Sequence, residues 1–584
     1  MRPVLVLSRP QSHSHHASRW VSAIAKLVGY GLVFTVIGLF SRVTFAQQLP
    51  TAGTEIQQIT QIPPLIKAPP KLDVEIKAPE VINVPSNARK IEIKSIQIKG
   101  IKNIAAADLI AASGFVPNSM LSFEELKNLT QKMVAYLHEK QYFVAQVFLP
   151  PQAISDGVVI FEVMEGKYSK VELKGNGVIP KAMLTALMGK VKSGEPIKAN
   201  DLERGLLLVS DLPGVLVSSN LSPGQVTGTS DLVVEVEKTA LLSGSVDYDN
   251  FGNTYTGVNR VGGTLNINNP SGNGDIVTLR AQTSAVGMNY GRASYQGQVD
   301  VFKPGIALTS MQYQLGQQYQ SLSAYGRANI ASVYTGYPVI RSRDANLNML
   351  LNFDLKQLND NVRATNTMTP KKAEVASFNI NGDSKDQLLG GGFNTYYSSF
   401  SVGNIVLQNQ QSITNDAQYA QTNGTFNKLY LNTTRLQNIA GPLSLYGAFR
   451  GQFASKNMDG TEKMGLGGAN GVRAYPEGEG YGDQGYLLNI EARANVPNPF
   501  SIMPGQLQLI GFFDNGSIMF NKNPWPGAGI NNHQTLSGAG VGLNWTSQNN
   551  LVLRSYLAHK VGGAAPTSAP DQTYRFWVQL IQYL

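Results

Sequence analysis

The 584-residue chain contains no cysteine. That excludes a disulfide framework, thiolate-held zinc, a thiol nucleophile and a lipid on an N-terminal Cys. Charge is scarce at 15% of residues, and with 58 Gly the composition suits a turn-rich β protein better than a helical one. Residues 1–46 hold five basic groups and no acid. Without them the net charge falls from +9 to +4, too little for a nucleic-acid or other polyanion-binding surface. The length allows three or four domains.

The run "LVGYGLVFTVIGLF" at 27–40 is uncharged and follows Arg19 and Lys26. Fourteen residues are short for a membrane helix but fit an export-signal core, with Thr44 and Ala46 as small residues before a cut after Ala46. Seven prolines between 47 and 85 then predict an extended linker, 47–90, in which only 53–61 suits a short helix.

Residues 91–166 read strand, helix, helix, strand, strand. "IEIKSIQIK" alternates with period two, and a capping box at Ser122 and Glu125 opens a helix striped by Leu126, Leu129, Met133 and Leu137. The same order recurs over 167–239, with Pro180 at one helix start and Asn200 with Glu203 as the second capping pair. Repetition marks a tandem module.

From 240 to 584 helical periodicity gives way to segments of about ten residues that alternate apolar and polar. In "NLNMLLNFDLK" (346–356), Leu347, Met349, Leu351, Phe353 and Leu355 share one face, and Asn346, Asn352, Asp354 and Lys356 the other. Such alternation suits tilted strands crossing a membrane around a wet lumen. Sixteen segments are present, with short connectors such as 268–274, 301–305, 438–442 and 547–550 alternating with long ones at 409–424, 455–484 and 517–535. The expected fold is therefore two α+β modules followed by a 16-stranded antiparallel transmembrane barrel.

"LPPQAISDGVVIFEVMEG" (149–166) and "DLPGVLVSSNLSPG" (211–224) resemble the paired POTRA modules of the TpsB family, the outer-membrane transporters of two-partner secretion that include haemolysin secretion/activation proteins. "GGANGVRAYPEGEGYGDQG" (467–485) resembles that family's loop motif, written here Val472-Arg473-Ala474-Tyr475 with Gly478 and Gly485, Ala474 standing where Gly is usual. "GFFDNGS" (511–517) resembles its barrel motif, Asp514 and Gly516. The last strand, "YRFWVQLIQYL", resembles the terminal strand read by the barrel-assembly machinery.

The resemblance implies an outer-membrane location with POTRA 1 (91–166) and POTRA 2 (167–239) in the periplasm. It implies a large secreted exoprotein, unfolded in transit, captured on the POTRA pair and exported through the pore without ATP. It also implies that the loop folds into the barrel, where Arg473 pairs with Asp514. A guanidinium fork fits a carboxylate, and in a wet lumen such a contact contributes about 1–3 kcal/mol. Strand edges accept an added strand through backbone hydrogen bonds. The candidate client edges are Phe143–Leu149 (Phe143, Val144, Val147, Leu149) and Val215–Leu221 (Val215, Val217, Leu221).

Catalysis finds little footing. His138, His533 and His559 are scattered, and no catalytic, cofactor or metal residues are expected. Gly480-x-Gly482-x-x-Gly485 matches a dinucleotide fingerprint only formally, since a strand-like segment follows it. "DYDNFG" (247–252) reads as strand-end polar residues rather than a calcium loop. Two alternatives stay open: an insertase of the same superfamily that folds other barrels, and a passive porin or receptor.

Overall fold

The computed structural model describes residues 49–59, 71–74, 90–497, 504–529 and 531–584; for 71–74 the backbone is described. The expected export signal, and most of the linker, lie outside the described residues.

In the first module, strand Val158–Met164 sits between Ser95–Lys99, parallel to it, and Gln146–Phe148, antiparallel. Helices Ala106–Ser113 and Phe123–Glu139 pack on this sheet through Leu109, Leu126, Leu129, Met133 and Leu137. The Ser122 capping box forms as expected, and the backbone N–H of Ser122 holds the Glu125 carboxyl below its usual range. "IEIKSIQIK" is two strands rather than one. Ile91–Ile93 pairs with Ser119–Leu121 in a separate ribbon, because Lys94 and Ser95 both turn their N–H groups onto the Gly157 carbonyl.

The second module has four strands in the order Lys71–Val74, Val215–Pro223, Thr229–Lys238, Lys167–Lys174. Its helices are Lys181–Met188 and Ala199–Ser210. The second helix starts earlier than its apparent capping pair suggests: Lys198 is the N-cap and makes no side-chain cap bond. Glu203 instead accepts from the backbone N–H of Arg343, in a barrel turn.

Sixteen strands from Leu242–Asp249 to Tyr574–Tyr583 then close a barrel, each antiparallel to the next. Closure is made by Ser245 opposite Tyr583 and Asp249 opposite Gln579. Short connectors (342–344, 441–442, 548–550) lie at one end and long ones (408–423, 455–483, 520–532) at the other. The second module touches the short-connector end. Arg341 forms a bidentate pair with Asp211 (2.7 and 2.8 Å), and Arg204 donates to the Pro338 carbonyl at 2.7 Å. That contact places the second module at the short-connector end, the end expected to face the periplasm. Outward-facing Leu351, Phe353, Phe400 and Phe453 are exposed, as lipid-facing side chains must be.

Helix Ala52–Gln57 lies within the barrel and is shorter than the 53–61 expected. Its Ala52 is buried against inward-facing Met311, Tyr313, Ala328 and Leu358, with Ile56 and Ile59 on the same cluster.

Candidate functional site

Strand Gly505–Met519 alternates as a barrel wall must. Leu509 and Phe513 face outward and are exposed, whereas Phe512, Asp514, Gly516 and Ile518 face the lumen and are buried. Its neighbour Gln484–Val496 places Asn489 opposite Asp514 and Leu487 opposite Gly516. Connector 455–483 folds inward onto this wall. Its base is a two-stranded ribbon, Met464–Gly465 with Tyr481–Gly482, so Gly480 and Gly482 serve a hairpin; Gly485 already belongs to the barrel strand.

The loop presents Arg473 to Asp514. Arg473 donates from Nη2 to Asp514 Oδ1 (2.7 Å), from Nε to Oδ2 (2.9 Å) and from its backbone N–H to Oδ2 (3.0 Å). Asn489 donates to the same carboxylate at 2.7 Å. Three features around this pair were not anticipated from the sequence. Nη1 of Arg473 donates to Glu491 at 2.7 Å, the guanidinium lies 3.6 Å from the Phe512 ring centre, and Trp577 donates to the Arg473 carbonyl at 2.7 Å. Nor is the pair wet: Arg473 is 4% exposed and Asp514 0%. The 1–3 kcal/mol expected for a solvated contact is therefore the wrong scale for the loss of one partner. Removing one partner of a buried ion pair typically costs about 3–5 kcal/mol, because the other charge is left stranded.

The rest of the loop is held by matched charges. Glu462 accepts from Lys356 (2.6 Å) and Lys428 (2.7 Å) on the wall, and Asp459 pairs with Lys371 (2.7 Å). Glu479 takes bonds from Thr567 and Ser568 of connector 561–573, tying two loops together. Val472 and Tyr475 are buried in the cluster with Leu466 and Phe512, and Gly478 turns the chain between Tyr475 and the ribbon. Asp247 and Asp249 pair with Arg280 and Arg260 in the lumen.

Two close approaches explain small residues. A Cβ on Gly516 would sit 2.6 Å from Leu466 Cδ1, so the barrel motif combines an anion for Arg473 with room for the loop's leucine. Ala474 has negative φ and needs no glycine; its methyl occupies space left by Gly538, where a Cβ would meet it at 2.5 Å. Gly538→Ala is therefore expected to loosen the docked loop by about 1–3 kcal/mol, an overpacking penalty. Faster proteolysis within 455–483 is the readout, and Ala474→Gly should partly reverse it.

A family model of haemolysin secretion/activation proteins, ShlB/FhaC/HecB, matches residues 228–545. The chain belongs to this family. A ShlB-type POTRA model matches 91–166. The heme/hemopexin transporter protein HuxB of Haemophilus influenzae is 24% identical over 575 residues, covering 96% of this chain and 98% of the relative. The hemolysin transporter protein ShlB of Serratia marcescens is 23% identical, covering 70% and 73%. The solved structure of CdiB from Escherichia coli shares the fold at a TM-score of 0.70, with 18% identity and coverage of 87% and 93%. This chain is thus an outer-membrane transporter of two-partner secretion, with its POTRA modules in the periplasm.

The candidate client edges fare differently. Phe143 and Val144 precede the strand, which is only Gln146–Phe148, and pack against the second module's core. Val147 and Leu149 belong to the first module's core cluster. Val215, Val217 and Leu221 lie on a strand whose edge is not open: Lys71–Val74 runs parallel along it, Lys71 opposite Ser218 and Val74 opposite Leu221. Residues 71–77, "KLDVEIK", do alternate polar and apolar with period two, but nothing in that alternation names the second module's edge as the partner.

Proposed function

We propose that this transporter receives one large exoprotein as an extended chain on the edge of strand Val215–Pro223 and threads it unfolded through the barrel, past the 455–483 loop, without nucleotide. The supporting observation is the linker strand itself: the edge already accepts an added parallel strand of the same chain. Each backbone hydrogen bond contributes a net of about 0.5–1.5 kcal/mol. A four-residue strand therefore holds a nine-residue edge weakly, and a longer client segment displaces it. Folding of the client outside gives direction. During biogenesis the barrel-assembly machinery engages the last strand, whose Phe576 and Leu580 face outward toward lipid.

The test is co-expression with the large exported protein of the adjacent reading frame, measuring its release into the medium. The chain lacks cysteine, so Leu72→Cys with Ser219→Cys gives a single clean pair across the linker–edge register. Oxidation is expected to cut secretion at least tenfold, and a reductant to restore it. Undiminished secretion from fully cross-linked barrels would remove the edge from the mechanism.

A further inference from the structure

The outer wall of strands Lys303–Gln314, Ala324–Arg341, Ala345–Val362 and Thr367–Asp386 changes character toward the extracellular end. Register aligns an outward row of Ile306, Val333, Phe353 and Ala376, then one of Leu308, Ala331 and Leu355. The next row is Ser310, Asn329, Gln357 and Lys372, and the one above it Gln312, Arg327 and Asn359. These rows face away from the lumen, because the alternate residues Met311, Ala328 and Leu358 pack against the internal helix. Arg363 follows in the connector, its guanidinium 4.8 Å from the Tyr325 ring centre.

Two hollows sit on this face. The upper one, about 790 Å³, is lined by Arg327, Arg363 and Lys372 with Asn and Gln side chains. The lower one, about 570 Å³, is lined by apolar Val333, Leu351, Phe353, Phe378 and Phe400. From Asn359 to Phe353 is six residues, about 20 Å along a strand. Inside the barrel Arg260, Lys356, Lys371, Lys428 and Arg473 all have carboxylate partners. Among the described residues Arg327, Arg363 and Lys372 have no ion-pair partner; the carboxylate of their face, Glu374, lies one row below Lys372, opposite Leu355. Three uncompensated cations beside amides, over an apolar groove, complement an amphiphile whose head carries phosphate and sugar hydroxyls.

We propose that this face binds a phosphorylated glycolipid of the outer leaflet, phosphate among Arg327, Arg363 and Lys372 and acyl chains along the groove over Phe353 and Phe378. The test uses the full-length barrel in detergent micelles, with bisphosphorylated lipid A as probe and native mass spectrometry as readout. One lipid A is expected to stay bound, at least tenfold more tightly than its dephosphorylated form. Arg327→Gln/Arg363→Gln/Lys372→Gln should lose at least tenfold in affinity, and Arg363→Gln alone, in an exposed connector, a few-fold without risk to folding. Lys456→Gln and Lys522→Gln, in other connectors of the same end, should change nothing. Equal binding by a folded triple variant, an equal loss in the two lysine variants, or full competition by millimolar inorganic phosphate would each overturn the proposal.

Discussion

Arg473→Ala is expected to reduce secretion at least tenfold in barrels that still insert and remain heat-modifiable. The substitution leaves the buried Asp514 carboxylate with Asn489 and no cation, takes from Glu491 one of its two arginines, Arg493 remaining, and removes the cation that Phe512 faces. At about 3–5 kcal/mol, the docked state of the loop loses roughly two to four orders of magnitude in its equilibrium against the undocked one. Glu462, Asp459 and Glu479 continue to hold the loop base, so the tip swings rather than the whole loop leaving. External protease should then cut within 455–483, where the parent is protected. Arg473→Lys keeps the charge but not the fork that meets both Asp514 oxygens, so it should recover little. A folded Arg473→Ala barrel with a protected loop and normal secretion would contradict the role assigned to this pair.

The barrel was legible because its rule is local. A strand between lipid and water must alternate, as 346–356 does, and external connectors are free to be long. The positions of Arg473 and Asp514 were legible through resemblance, yet their surroundings were not. Glu491 and Trp577 lie 18 and 104 residues from Arg473, and nothing in their own segments marks them as its neighbours. One cue was present: Lys356 stood on the polar face of its strand, and a cation facing a lumen calls for an anion, here Glu462 of the loop. The linker strand Lys71–Val74 illustrates the opposite limit. Its four residues alternate with period two, yet the alternation is a local cue and cannot tell which edge they meet. The break at Lys94 is similar, since period-two alternation runs straight through it while the Gly157 carbonyl redirects the chain.

Deletion of residues 52–62 is expected to raise ion conductance of the inserted channel by a factor on the order of a few-fold, with larger openings when the 455–483 loop is also removed. Six helical residues span only about 9 Å, but a helix with its side chains is about 10 Å across, a large obstacle in a 16-stranded lumen. The helix is also well held. Glu55, 3% exposed, accepts from Asn253 at 2.8 Å and from Thr256 at 3.0 Å. Asp360 accepts from the Ala52 N–H at 2.7 Å and from the Tyr313 hydroxyl at 2.8 Å. Arg260 donates to the Gln58 carbonyl, and Gln57 to that of Gly460 in the loop. The last contact joins the two obstacles at the loop base: once the helix leaves, the base loses a neighbour, whereas a swing of the tip alone leaves Gly460, between Asp459 and Glu462, in place. Asn253→Ala, which removes bonds to Glu55 without shortening the chain, should therefore give intermittent opening rather than a fixed increase. Unchanged conductance after the deletion, in barrels with a docked loop, would mean that the ion path does not pass the helix.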